Sequence, residues 1–184
     1  MSGEEPSDRE LAEQLMTSGD PVAFHILYRR HTPALYAVAR RLAIDGTDAE
    51  DAVHDAWLRV SGGLRRFHWE SSLRTWLMGV LINRLRELRR GERPTVPLDD
   101  ARVFETAVSD APLPLSVDPL DLERAVTAMP VRYREVVLLH DLEGFTHEEI
   151  ANLLGIELGT SKSQLARGRR WLRQALLPNG GETG

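Results

Sequence analysis

From Gly144 to Arg173 the chain reads as two short helices joined by a tight turn. Thr146 and Glu149 have capping-box spacing, in which each side chain satisfies a free N–H of the first helical turn. Ile150, Ala151 and Leu154 share one face of that helix, and Gly155 suits the left-handed residue that ends it. Thr160 is a favourable N-cap for the second helix. This second helix has only a narrow stripe of mostly small residues to bury, Ser161, Leu165, Gly168 and Leu172. It also holds Lys162, Arg167, Arg169, Arg170 and Arg173, with no acid between 160 and 176. A helix that packs lightly along one side and is polar and cationic elsewhere is what the DNA major groove admits. A solvated basic face, with arginines complementing the helix dipole, would explain the charge alone. It would not explain caps, turn and charge falling together.

A net charge of −5 over 184 residues argues against a chain that is basic throughout. The mean hides segregation: residues 1–14 sum to −4, 65–93 to +5, 94–123 to −6 and 160–176 to +5. Two cationic segments flanking an acidic one predict two DNA-facing surfaces separated by a connector that does not bind DNA. The chain has no Cys, so disulfides and thiolate metal sites are excluded. The longest apolar run, Trp76 to Ile82, is seven residues, too short to cross a bilayer. The start of the chain is acidic and lacks the apolar core of a secretory leader. A cytoplasmic protein without membrane insertion is expected.

Helical signals dominate the rest. Asp20-Pro21 is a cap followed by proline at the first helical position. The apolar spacing from Val22 to Leu42 is helical, with Pro33 expected to bend or break it and Gly46 to stop it. Thr47 and Glu50 form a second capping box, for a helix through Val60 that Gly62-Gly63 interrupts. Residues 64–71 are a loop with aromatics among charges, and Ser71 or Ser72 caps a long helix from Leu73 to about Arg90. Between Gly91 and Pro119 lie five of the ten prolines, and periodicity is lost, as in a linker. Asp118-Pro119 starts a further helix, and Pro130 another running to about Leu142. The expected fold is all-α: two small helical domains at 15–91 and 119–177, an acidic extension at 1–14, an acidic linker at 92–118 and a tail at 178–184.

These residues together resemble a known family, the group IV or extracytoplasmic-function (ECF) sigma factors of the sigma-70 type, with a sigma-2-like helical bundle and a sigma-4-like helix-turn-helix. The first domain carries Asp20-Pro-Val-Ala-Phe24, Asp48-Ala-Glu-Asp-Ala-Val-His-Asp-Ala-Trp57, Phe67-x-x-Glu-Ser-Ser-Leu-Arg-Thr-Trp-Leu77, Ile82-Asn83-Arg84 and Leu88-Arg89-Arg90. The second carries Ala128-Met-Pro130, Arg134-Glu-Val-Val137, Glu149-Ile-Ala151, Leu154-Gly-Ile156 and Gly159-Thr-Ser-Lys-Ser163. Their order and spacing over two domains carry the resemblance. It implies no catalysis and no cofactor. It implies docking on the β′ clamp and β flap of core RNA polymerase, reading of the −10 and −35 promoter elements, and control by an anti-sigma factor.

On that reading Asp48, Glu50, Asp51, Ala52, Asp55 and Trp57 form the polymerase-docking helix. Arg66, His68, Trp69 and Arg74 serve the −10 region, where an unpaired base needs a π face and its backbone needs cations. Asn83 matches the family's base-reading Asn, with Arg84, Arg86, Arg89 and Arg90 on phosphates. In the second helix Lys162, Ser163 and Arg167 face base edges, with Gln164 beside them and Ala166 against a thymine methyl. Thr160 starts that helix, and Arg169, Arg170 and Arg173 hold phosphates. The chain departs from the family pattern at His68-Trp69, where Arg-Gly is usual, and at Ser161 and Gln164, where Val and Arg are common.

Two other readings compete. An autonomous helix-turn-helix regulator needs only residues 120–177, and leaves the acidic helix and the aromatic–basic loop without a role. A di-metal carboxylate enzyme would use Asp51-x-x-His54 as half of its ligands, and the sequence supplies no second half.

Overall fold

The computed structural model describes residues 5–43, 49–92 and 118–177, the side chains of 90–92 excepted. The described residues contain helices and no strand, in agreement with the all-α expectation. The chain divides into two compact units at Arg89–Arg90.

The first unit departs from expectation at its start. Residues 8–14 of the expected extension belong to a helix that runs on into the expected domain, α1, Asp8–Ser18. Ser7 and Glu10 form its capping box, and Gly19 closes it in the left-handed conformation at φ 66°. Leu11 and Ala12 bury its inner face against the next helix. Asp8 holds two residues of that helix at once, Arg30 at 2.6 Å and the buried His31 at 2.9 Å. Acidic composition concealed this helix because its apolar face is only two residues wide.

Helix α2, Pro21–Leu42, begins as read, with the Asp20 carboxylate accepting from the Val22 N–H at 2.9 Å. It runs through Pro33 without ending. Proline removes one intrahelical bond, and burial of Leu27, His31, Leu35 and Val38 on both sides of Pro33 holds the helix. Helix α3, Ala49–Gly63, also outlasts its expected end, and a 3-10 turn, Leu64–Arg66, follows. A Cβ on Gly63 would stand 3.3 Å from the Trp76 ring, so that glycine serves close packing rather than interruption. Gly46, Thr47 and Asp48, and with them the second capping box, lie outside the described residues. Helix α4, Leu73–Glu92, is capped by Ser72, whose hydroxyl accepts from the Thr75 N–H at 3.0 Å. Leu73, Leu77, Met78, Leu81, Ile82 and Leu85 are its buried side.

Burial holds the His31 imidazole below its ordinary pKa of 6.5, and outweighs the Asp8 carboxylate beside it. A histidine harder to protonate when folded gives the unfolded chain more protons as pH falls through the unfolded value. Its contribution is therefore present above pH 6.5 and declines as the solution is acidified below it. Urea melts between pH 7 and pH 5 should show a loss of stability that His31→Gln reduces.

The second unit starts with α5, Pro119–Ala128, capped by Asp118. Helix α6 is short, Val131–Val137, and the expected continuation to Leu142 is instead a π turn, Leu138–Leu142. The wider turn is seen in the Glu143 N–H donating to the Leu138 carbonyl at 3.0 Å. Gly144 at φ 74° then reverses the chain, and the Phe145 N–H closes on the Leu139 carbonyl at 2.9 Å. The α5–α6 corner is stapled by buried Arg134, which donates to the carbonyls of Thr127 at 2.5 Å and Met129 at 2.8 Å. Helices α7, His147–Leu154, and α8, Leu158–Leu176, complete the unit. The 92–118 linker expectation falls almost wholly on residues outside those described.

Candidate nucleic-acid interface

Thr146 and Glu149 make the capping box that opens α7, and Gly155 ends it at φ 65°. Helix α8 starts three residues earlier than expected. Glu157 holds the cap position without a side-chain cap bond, so Thr160 lies in the first turn and is not the N-cap. Ser161, Leu165, Gly168 and Leu172 are buried, as the stripe predicted. Gly168 is where α8 meets α6 most closely: a Cβ there would collide with Val137 and stand 3.4 Å from Tyr133. At about 100° per residue, Lys162, Ser163, Ala166, Arg167, Arg170 and Arg173 centre on the side opposite that stripe. Lys162, Ser163, Ala166 and Arg167 are exposed, while Gln164, Arg170 and Arg173 are partly covered.

Arg169 has a partner within the unit. Its guanidinium grips Asp141 with two bonds, at 2.6 and 3.0 Å. Burial pushes the Asp141 carboxyl up, but the bonds from Arg169 and His140 prevail and hold it below the usual carboxylate range. Arg169 thus ties α8 to the π turn. His147, at the start of α7, joins the same seam through the hydroxyl of Ser161 at 2.9 Å, with its ring 4.8 Å from that of His140. Burial and the charges of His140, Lys162 and Arg169 hold its pKa below 6.5. Sequence reading missed this seam: Asp141 and Arg169 are 28 residues apart, and only the π turn swings Asp141 toward α8.

In the first unit, Arg66, His68, Arg74 and Asn83 are exposed. Asn83 lies opposite the buried side of α4. Trp69, Phe67 and Trp76 form a run of rings, with centroids 4.9 Å apart for the first pair and 5.0 Å for the second. Phe67 is structural, stacked on Trp76 at an interplanar angle of 22°. Trp69 has φ 59°, a left-handed setting costing a bulky residue roughly 1–3 kcal/mol. Such strain persists only where the surroundings impose it.

Arg84 is likewise paired within its unit. It pairs with Asp55 at 2.5 Å and with Glu87 at 3.7 Å, tying α4 to α3. Arg86 and Arg89 are partly exposed, and the Arg90 side chain lies outside the described residues. On α3, Ala52 and Trp57 are buried and are not part of a docking surface. Trp57 donates to the Thr32 hydroxyl at 3.0 Å and packs against both Phe24 and Tyr28. The outward side of α3 carries Glu50, Asp51 and His54, and ends in Leu58, which is 59% exposed. Leu58 went unread because Trp57 beside it is the stronger hydrophobic signal. Among the described residues no cluster of metal-ligating side chains occurs, and no helix is long and apolar enough to cross a membrane.

The two units coincide with two known protein families. The model described as Sigma-70 region 2 matches residues 27–95, and that described as Sigma-70, region 4 matches residues 120–172. The ECF RNA polymerase sigma factor SigM of Mycobacterium tuberculosis is 34% identical over 174 residues, spanning 94% of this chain and 86% of that protein. The ECF RNA polymerase sigma-E factor of Escherichia coli is 26% identical over 187 residues, spanning 95% and 97%. Among solved structures, the sigma factor RpoE in complex with the anti-sigma factor NepR from Bartonella quintana aligns with TM-score 0.67 and 30% identity, over 83% of this chain and 96% of that one. CnrH in complex with the cytosolic domain of CnrY aligns with TM-score 0.65 and 28% identity, over 92% and 96%. Two helical units in this order, each matching its sigma-70 region, and a relative of this identity and coverage place the chain plainly: it belongs to the ECF RNA polymerase sigma factor family.

Proposed function

We propose that this chain, an alternative sigma factor that directs promoter-specific transcription initiation by core RNA polymerase, divides promoter reading between two surfaces. Lys162, Ser163 and Arg167, with Gln164 and Ala166, meet base edges of the −35 element, and Arg170 and Arg173 meet phosphates. Trp69, His68, Arg66 and Arg74 receive the opened −10 strand, with Asn83 reading a base edge. The observation that carries this reading is the outward cationic face of α8, set opposite a buried stripe of small residues. The protein is a transcription initiation factor; we assign it no catalytic step and no cofactor, and expect it to act in the cytoplasm. An anti-sigma factor is its expected regulator, since the matched structures of RpoE and CnrH are complexes of that kind or carry a cytosolic partner domain.

The polymerase-docking surface is the outward side of α3, Glu50 and Asp51 with Leu58. Asp55 is excluded from the main role because Arg84 neutralises it. Replacing Glu50 and Asp51 together with Lys should reduce retention of core polymerase in a pull-down while the circular dichroism spectrum stays unchanged. Undiminished retention would remove α3 from the interface. Asn83→Ala tests the −10 assignment. It should relax base preference there and lower permanganate reactivity of unpaired thymines, by a base-edge contact of roughly 1–3 kcal/mol.

A further inference from the structure

Helix α1 precedes the segment matched by the region 2 family, which begins at residue 27. Yet it touches the 64–69 segment at both of its ends. In its first turn, the Arg9 guanidinium lies over the Trp69 ring, 5.7 Å from the centroid. In its last turn, the Met16 carbonyl accepts from Arg65 at 3.1 Å. The helix itself is anchored elsewhere, through the Asp8 carboxylate on Arg30 and His31 and the burial of Leu11 and Ala12. A rigid rod fixed to α2 therefore spans the loop and touches its two margins.

Trp69 is the non-glycine residue with positive φ among the described residues. Positive φ is unfavourable for a bulky residue, so the loop's surroundings hold it in place. Phe67 supports it from within the loop. Arg9 supports it from outside, as a cation against a π face, the geometry in which guanidinium and indole attract.

We infer that α1 is a splint for the strand-separation loop, and that Arg9 is the positioning residue that holds the Trp69 ring for an unpaired base. This rests on the reading of residues 65–71 as the surface that receives opened −10 DNA. Arg9 does not touch DNA in this role; it acts through Trp69.

The test is the rate of open-complex formation on a duplex promoter. It is followed by permanganate footprinting with holoenzyme carrying wild type, Arg9→Ala, Arg9→Lys, Trp69→Ala, or Arg9→Ala with Trp69→Ala. Arg9→Ala should slow opening about two- to fivefold, the scale of an exposed cation–π contact, and Arg9→Lys should recover most of the rate. In the Trp69→Ala background, removing Arg9 should change nothing further, because coupled residues fail to add. Independent, multiplying effects would overturn the inference, as would a wild-type rate for Arg9→Ala beside a slow Trp69→Ala. A wild-type rate for Trp69→Ala would overturn the loop assignment itself and the splint with it, a result distinct from failure of the splint alone. Circular dichroism melts of the variants exclude a folding defect: a midpoint lowered by Arg9→Ala and restored by Arg9→Lys in step with the rate would also overturn it.

Discussion

Gly168→Val should destabilise the second unit by about 3 kcal/mol or more, the upper end of overpacking in a close-packed core. Any Cβ at this position strikes Val137 of α6, and Tyr133 at 3.4 Å leaves no room for a sideways shift. Helix α8 must then ride up on α6, which draws Arg169 from Asp141 and Ser161 from His147. Thermal melts of the full chain should show a lowered transition for the affected unit, and −35-dependent transcription should fall with it. Gly159→Ala is the matched control. Nothing lies within 4 Å of a Cβ built there, so helix propensity alone makes it neutral or slightly stabilising. Equal melting of Gly168→Val and wild type would mean that α6 and α8 do not cross as closely as described.

Arg167→Ala and Arg170→Ala should fail differently in holoenzyme. A base-edge contact is worth roughly 1–3 kcal/mol of discrimination, while a phosphate contact weakens all sequences alike. Arg167→Ala should therefore lower initiation mainly on promoters with an intact −35 element, and substitutions at the contacted base should then matter less. Arg170→Ala should reduce binding uniformly and flatten its salt dependence, because fewer counterions are released. Arg169→Ala should resemble neither, since its guanidinium is spent on Asp141; its effect should follow the mobility of α8 and be matched by Asp141→Ala. Indistinguishable profiles for Arg167→Ala and Arg170→Ala across a set of −35 variants would remove the assignment of base readers.

The helix-turn-helix was legible because its signals are local. A capping box, a left-handed glycine and a four-position stripe each lie within one turn or helix, and all appear as read. What sequence could not give depends on partners distant in the chain. Arg84 and Arg169 look like free cations in sequence, and only folding sets Asp55 and Asp141 beside them. Trp57 and Leu58 are neighbours whose burial is decided by helix phase against α2, which local composition does not reveal. The ends of α3 and α6 were misplaced for a related reason. Gly62-Gly63 reads as a breaker in sequence, whereas Gly63 gives the Trp76 ring its space, and the π turn has no sequence signature comparable to a cap. Helix α1 escaped notice because two buried residues and one shared carboxylate hold it, not a long apolar face.

As a sigma factor, this chain should show specificity for promoter DNA only with polymerase. The most direct measurement of this is in vitro transcription with core RNA polymerase over fragmented genomic DNA, start sites being mapped with and without this chain, beside a footprint by the chain alone. New start sites should appear that share −35 and −10 elements and depend on the added protein, while the chain alone leaves these promoters unprotected. Tight, specific protection of promoter DNA with no polymerase present, and no new start sites with it, would instead describe an autonomous regulator and contradict the account.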